Sequence, residues 1–182
     1  MWPITHLAVG YLCYAALART RGRVPGDGAT LAAVFGAALP DLVDKPLLWA
    51  GAVPSGRTLA HSVFAAFLFS AIAWWLASRY DREELVIAFA VGYASHLAAD
   101  VAWPLLVGAY DELGFLLWPI THSPPYEGQK SLGTLAGMEV TTFWFEVVIL
   151  AAGIALWIRH GTPGIALVRR WGRRNILGFT SR

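Results

Sequence analysis

Five long apolar segments, separated by short polar stretches, dominate the pattern along the chain. They cover about residues 4–18, 29–53, 58–78, 84–108 and 138–158. Each is as apolar as a membrane-embedded helix, which needs roughly 20 residues to cross a bilayer. Pro40 lies in the middle of the second segment, and a proline removes a backbone donor and crowds the preceding turn. The pattern therefore predicts an all-α integral membrane bundle of about five helices, one of them broken.

Two stretches outside these segments have a composition of their own. Residues 109–137 form a loop rich in glycine and proline, and a loop of that length more often carries function than not. The basic stretch at 161–182 predicts a tail that lies on the surface of an anionic leaflet. We therefore divide the chain into one membrane-embedded domain at 1–160 and a basic interfacial tail at 161–182.

The distribution of basic residues predicts an orientation in the bilayer. If the chain crosses the membrane five times, eleven of its 14 lysines and arginines fall on one side. Lys45, Arg57 and Lys130 remain for the other side. Because cytoplasmic loops carry the excess of basic residues, we expect a multi-pass protein of the cell (plasma) membrane. Its N-terminus would lie outside and its C-terminus in the cytoplasm.

Composition agrees with a chain dissolved in lipid and argues against other classes. It is 57% hydrophobic and 14% charged, against about 45–50% and about 25% in soluble domains. The net charge of +2, without a basic patch interleaved with aromatic residues, argues against a nucleic-acid partner. Cys13 is the single cysteine, so an internal disulfide is excluded and any metal site must use histidine and carboxylate.

Histidines and aspartates occur inside the apolar segments, and their positions are less scattered than a random distribution would make them. His96 and Asp100 are four residues apart and therefore lie on one face of their helix. On the predicted topology, His6, Asp41 and His61 lie at a similar depth toward the outer side. Ionisable residues are costly inside a membrane, and imidazole together with carboxylate suits a divalent metal. We therefore predict all five as metal ligands, with zinc as the first choice and manganese or iron as alternatives.

Arg57 is the one basic residue beside these ligands, which makes it the natural contact for a phosphate group. Lys130 in the long loop is a second candidate for that contact. A bound metal lowers the pKa of water toward neutrality and so generates a hydrolytic nucleophile. The pattern thus indicates a membrane-bound metal-dependent hydrolase of a phosphoester, such as a lipid head group, because the site would lie near head-group depth.

Three other interpretations of the same residues remain open. The cluster could relay protons or bind an ion in transit, as in a membrane transport protein. It could also be a structural set of polar contacts, in which Asp44 pairs with Lys45 or Arg57. Two histidines could hold a b-type haem, although the aspartates argue against it. By itself, His122 is typical of a solvated loop residue.

The order of these motifs resembles the YdjM-like family. The resemblance rests on His6, on "LPDLVD", on Arg57 followed by His61 and Ser62, and on "GYASHLAAD", and it covers about residues 1–120. It implies an inner-membrane, metal-dependent hydrolase. The opening "HLAVGYL" and the form "PSGRTLAHS" are most similar to archaeal, particularly haloarchaeal, members.

The same order of residues is similar, more distantly, to that of zinc-dependent phospholipase C. This similarity implies that His61, His96 and Asp100 bind one zinc, and that His6 and Asp100 help to hold a second. It also implies that Asp41 acts as a general base or orients the attacking water. With Arg57, Asp41 would then be a catalytic residue.

Overall fold

The computed structural model describes residues 1–123 and 140–169, and this part of the chain is helical, without strands. Five long α-helices, one 3-10 helix and a short helical turn at 165–169 follow one another. They are α1 (Pro3–Thr20), α2 (Asp27–Trp49), α3 (Val63–Ala77), α4 (Glu83–Val107), the 3-10 helix (Tyr110–Leu117) and α5 (Val140–Arg159). The prediction of an all-α fold is confirmed for these residues. Lys130 and the tail beyond residue 169 lie outside them.

Helix α4 is the centre of the bundle. It packs against α2 most extensively, then against α1 and α3, while α5 packs on α1. Within the described ranges, α4 alone is long and apolar enough to cross a bilayer, and α3 is a shorter apolar helix. The topology of five crossings therefore stays a prediction.

Large apolar side chains cover the outward faces of α3 and α5. On α3, Phe67 is 79% exposed and Trp74 is 61% exposed, and the helix has no charged residue. On α5, Trp144 and Phe145 are also exposed. Soluble monomers rarely leave so much apolar surface in water, so these faces suit contact with lipid.

The predicted break in α2 is wrong, because one helix runs from Asp27 to Trp49 with Pro40 and Pro46 inside it. Pro40 cannot donate a hydrogen bond to the preceding turn, and its ring crowds that turn. Packing against α1 and α4 keeps the turn helical. The Ala37 carbonyl in the same turn accepts a hydrogen bond from a histidine of α4, so the turn that carries the proline is also a point of attachment between the two helices.

The third helix begins at Val63 rather than at about residue 58. Residues 50–62 form an irregular loop that carries Arg57 and His61, so neither residue opens the helix as the apolar pattern predicts. Ser62 caps α3, because its Oγ accepts a hydrogen bond from the backbone N–H of Ala65 at 3.2 Å. Some of the loop residues before Ser62 are apolar, which is why the apolar segment in the sequence begins earlier than the helix.

Small residues let α2 and α4 approach closely. A Cβ atom on Gly36 of α2 would overlap the carbonyl oxygen of Phe89, and one on Gly92 of α4 would overlap that of Ala33. Close packing of this kind is a main source of helix association in membranes, where lipid is as apolar as the side chains. The contact fixes how α4 and its polar residues are placed against α2.

Replacing Gly36 with alanine is expected to destabilise the bundle. The added methyl group has no room beside the Phe89 backbone, and overpacking of this kind costs about 1–3 kcal/mol. Gly28→Ala in the same helix is the matched control, because its Cβ would meet only the flexible end of Leu85, at 3.2 Å. Thermal unfolding in detergent measures both variants. Equal stability of the two would contradict the close approach of α2 and α4.

Candidate metal centre

The five residues predicted as metal ligands lie together in one buried cluster. Helix α1 contributes His6, α2 contributes Asp41, the loop at 50–62 contributes His61, and α4 contributes His96 and Asp100. The three imidazoles and Asp100 are at most 3% exposed, and Asp41 is 13% exposed. Four separate parts of the chain therefore bring ionisable groups to one point inside the bundle.

The distances between the ligand atoms fit a metal ion. Nε2 of His61 and Nε2 of His96 are 3.1 Å apart, and each lies 3.5 Å from Oδ2 of Asp100. Nε2 of His6 lies 3.5 Å from Oδ1 of Asp100, and Oδ1 of Asp41 lies 3.7 Å from Nε2 of His61. Ligand atoms about 2.1 Å from a tetrahedral metal lie roughly 3.4 Å from one another. The cluster could therefore hold a divalent metal.

His96 belongs to two sets of possible metal ligands. Within each set, the ligand atoms all lie within 4.8 Å of one another. One set consists of His6, His96 and Asp100, and the other of Asp41, His61 and His96. The arrangement thus offers positions for one ion or for two neighbouring ions, and His96 serves either.

Hydrogen bonds on the far side of two imidazole rings determine which nitrogen faces the centre. Nδ1 of His61 donates to Oδ2 of Asp44 at 2.8 Å, and Nδ1 of His96 donates to the Ala37 carbonyl at 2.7 Å. A carboxylate and a carbonyl can only accept, so in each neutral ring the proton is on Nδ1 and Nε2 has a free lone pair. Metal-binding histidines are commonly oriented by partners of these two kinds.

Asp44 organises the loop that carries His61. Its fully buried carboxylate accepts the backbone N–H groups of Thr58 at 2.9 Å, of Ala60 at 3.0 Å and of His61 at 3.3 Å. The Tyr93 hydroxyl donates to the Ala60 carbonyl from the side of α4. Burial lowers the pKa of the His61 imidazole below its usual value of 6.5, although the hydrogen bond to Asp44 acts in the opposite direction. The ring is therefore neutral at pH 7, the form that binds metals.

Two basic side chains border the cluster. Lys45 Nζ lies 2.8 Å from Oδ2 of Asp41, and Arg57 Nη2 lies 2.8 Å from Oδ1 of Asp100. The pairing of Asp44 with Lys45 or Arg57, which the sequence left open, is therefore wrong. Asp44 of α2 accepts hydrogen bonds from the loop at 50–62 instead, and the two cations lie beside Asp41 and Asp100.

The first part of the long loop after α4 covers the cluster. Phe115 of the 3-10 helix is 1% exposed and lies edge-on to His61, with ring centroids 6.2 Å apart. The Arg57 guanidinium lies 5.6 Å from the centre of the Phe115 ring, and Ser123 Oγ donates to the Arg57 carbonyl at 2.7 Å. These contacts hold Arg57 in place beside Asp100.

Comparison with known proteins places the chain in a protein family. The family described as YdjM inner membrane protein matches residues 1–174 of the 182-residue chain. The chain belongs to the YdjM family. The match spans every residue of the cluster, confirms the resemblance drawn from the sequence motifs and supports a location in the membrane. No curated protein and no solved structure matches the chain.

Other features of this YdjM family member stay apart from the cluster. His122 is exposed, and His160 hydrogen-bonds through Nδ1 with the Tyr11 hydroxyl at 2.8 Å. Neither histidine contributes to the cluster. The similarities to archaeal YdjM members and to zinc-dependent phospholipase C stay predictions.

Glu146 of α5 is a buried carboxylate that sequence reasoning missed. Its Oε2 accepts the backbone N–H of Trp2 at 2.7 Å and the hydroxyl of Thr5 at 3.1 Å. Helix α1 has no side-chain cap from its own N-cap residue, so Glu146 holds the first turn, which carries His6. A lone carboxylate within an apolar segment is the signal that could have identified it.

Asp44→Asn is expected to weaken metal binding about 10–100-fold, the usual effect of losing the partner of a metal-binding histidine. The carboxylate of Asp44 accepts hydrogen bonds from the backbone N–H of Thr58 and from Nδ1 of His61. An amide places an NH₂ group, which is a donor, against these N–H groups, so the His61 ring loses its orientation. Calorimetric titration with zinc measures the affinity. Asp81→Asn, at an exposed carboxylate between α3 and α4, is the matched control. Unchanged zinc affinity in a folded Asp44→Asn variant would contradict the role given to Asp44.

Proposed function

We propose that the protein is a membrane-bound metal-dependent hydrolase that cleaves a phosphoester. The observation that carries this proposal is the spacing of the ligand nitrogens and oxygens, which lie 3.1–3.7 Å apart around one centre. The Nε2 lone pairs of two imidazole rings, His61 and His96, point toward this centre. His6, Asp41, His61, His96 and Asp100 would hold the metal. Imidazole with carboxylate favours zinc, and manganese or iron also accept this set of ligands.

A divalent metal in this position would supply Lewis acidity for a water molecule and for a phosphoryl oxygen. The chain's own groups supply the rest of the chemistry. Asp41 is the most exposed carboxylate of the cluster and takes the proton of the attacking water. Arg57 donates to the phosphate oxygens, and Lys45, beside Asp41, is a second cation within reach of an anionic substrate.

The contact between α2 and α4 favours hydrolysis over transport. An ion that crossed the membrane would need a polar path from the cluster toward the other end of the bundle. In that direction Gly36 and Gly92 bring the two helices together so closely that a methyl group would not fit. A purely structural cluster is disfavoured too. Without a metal, the two facing Nε2 atoms would have to share an added proton, and burial, which lowers the pKa of His61, opposes that protonation.

The position of the cluster along α4 suggests a lipid head group as the substrate. His96 and Asp100 lie in the second half of a helix that ends at Val107, and α4 has the length and composition of a membrane span. The last turns of such a helix lie near head-group depth. A phosphoester of a membrane lipid would therefore reach the cluster without leaving the bilayer.

Hydrolysis of a phosphodiester by the purified protein, loaded with zinc, manganese or iron, tests the proposal. A chromogenic phosphodiester and phospholipids in mixed micelles serve as substrates. Arg57→Gln is expected to lower kcat/KM about 100-fold, because it removes a charged donor to the phosphate. Arg159→Gln, an exposed arginine at the end of α5, is the matched control. Absence of hydrolysis with every metal and substrate would overturn the proposal.

A further inference from the structure

An open apolar groove lies between α2, α3 and α4. The backbones of α2 and α3, both fully described, do not approach each other, because α3 packs against α4 and the 3-10 helix. The groove has a volume of about 820 Å³, within the range of small-ligand sites, about 300–1,000 Å³. Its walls include the apolar side chains of Phe35, Leu39, Ile72, Leu76, Leu85 and Phe89.

Among the residues that the structure describes, polar side chains line the groove at one end only. Tyr80 and Arg82, from the connection between α3 and α4, are the two lining residues with polar groups. Asp81 of the same connection, and Glu83 and Glu84 at the start of α4, do not line it. Arg79 is directed elsewhere, since its guanidinium lies 3.8 Å from the centre of the Trp75 ring. The mouth of the groove thus carries one positive charge and one phenol hydroxyl.

We propose that the groove binds one acyl chain of an anionic phospholipid whose phosphate contacts Arg82 and Tyr80. The groove opens beside the exposed apolar face of α3, which suits contact with lipid. An acyl chain matches the apolar walls, and an arginine matches the phosphate in charge and hydrogen-bonding geometry. Basic residues beside gaps between membrane helices are typical of sites for anionic head groups.

This lipid site is separate from the candidate metal centre. Arg82 precedes His96 by fourteen positions, which corresponds to roughly 21 Å along α4. The phosphate at Arg82 therefore lies at the other end of the bundle from the cluster and is not the hydrolysed bond. The inference does not rest on the proposed activity, and metal loading leaves its test unchanged.

Native mass spectrometry of the full chain in mild detergent tests the inference, with phosphatidylglycerol or phosphatidylcholine of identical acyl chains added in turn. The wild-type protein is expected to retain one phosphatidylglycerol about fivefold more tightly than phosphatidylcholine. Both lipids carry a phosphate, but the choline cation cancels its charge, and one arginine beside a net anionic lipid contributes a factor of that size. Arg82→Gln is expected to abolish the preference, whereas Arg79→Gln keeps it. Equal retention of the two lipids by the wild type would overturn the inference.

Two tryptophan variants of α3 locate the acyl chain. Ala73 lines the groove, and Ala71, two residues earlier, is exposed outside it. Ala73→Trp fills the groove and is expected to lose the bound lipid, whereas Ala71→Trp retains it. Equal lipid retention by both variants would show lipid bound elsewhere on the surface and overturn the inference. A lipid-free dimer that only Ala73→Trp dissociates would overturn it too, with a second copy of the chain as the occupant.

Discussion

His96→Ala is expected to leave the purified protein without bound divalent metal. The wild-type protein, purified in mild detergent without chelator or histidine tag, is expected to carry about one or two ions per chain. His96 contributes to both sets of ligand atoms, and its Nε2 lies 3.1 Å from that of His61 and 3.5 Å from Asp100. Its loss therefore removes a ligand from whichever of the two sets holds the ion. Elemental mass spectrometry measures the metal content.

Two further variants make this experiment decisive. His122→Ala removes an exposed histidine outside the cluster and is expected to retain the metal of the wild type. Asp100→Asn keeps the volume of the side chain but removes its charge, so it separates loss of a ligand from creation of a cavity. Metal retained by folded His96→Ala and Asp100→Asn proteins would exclude the cluster as the metal site. A folded wild type that takes up no added zinc, manganese or iron would do the same.

Asp41→Asn is expected to lower kcat for phosphoester hydrolysis by about 10²–10⁴-fold, the contribution of a general base. An amide of the same shape accepts a hydrogen bond from water but cannot take its proton. Asp41 Oδ1 lies 3.7 Å from Nε2 of His61, and Asp41 Oδ2 lies 2.8 Å from Nζ of Lys45. Asparagine has nearly the same volume as aspartate, so the substitution does not displace these neighbours. Initial rates at saturating substrate and saturating metal measure the effect.

The assay at saturating metal distinguishes the two roles of Asp41. If Asp41 served only as a ligand, excess metal would restore kcat to within a few-fold of the wild type, and its role as a base would be refuted. Asp111→Asn, at an exposed carboxylate in the 3-10 helix, is the matched control and is expected to keep the full rate. A comparable loss in that variant would indicate a general effect of lost negative charge.

Local patterns account for the parts of the fold that the sequence predicted well. The apolar segments found α1, α4 and α5 to within a few residues, because apolar density is a property of consecutive positions. The same pattern failed at Pro40, where packing from two sides keeps α2 helical, and before Val63, where apolar residues belong to a loop. In both places neighbouring elements, and not the local sequence, set the backbone.

The candidate site divides in the same way. His96 and Asp100 share a face because a helix repeats every 3.6 residues, and this follows from their spacing alone. The contacts of His61 with Asp44 and of His96 with Ala37 join residues 17 and 59 positions apart. Glu146 reaches the first turn of α1 across 141 positions or more. No periodicity in the sequence encodes such pairs.

By itself, the sequence determined that the chain is helical, that it is suited to a membrane, and that histidine and aspartate occur inside its apolar segments. Only the tertiary structure decided which nitrogen of His61 and His96 faces the centre, that Arg57 lies beside Asp100, and that a groove remains between α2 and α3. The physical reason is range. Helix formation and apolar burial depend on neighbouring residues, whereas the geometry of a site depends on how helices rotate and cross, which the packing of the whole bundle sets.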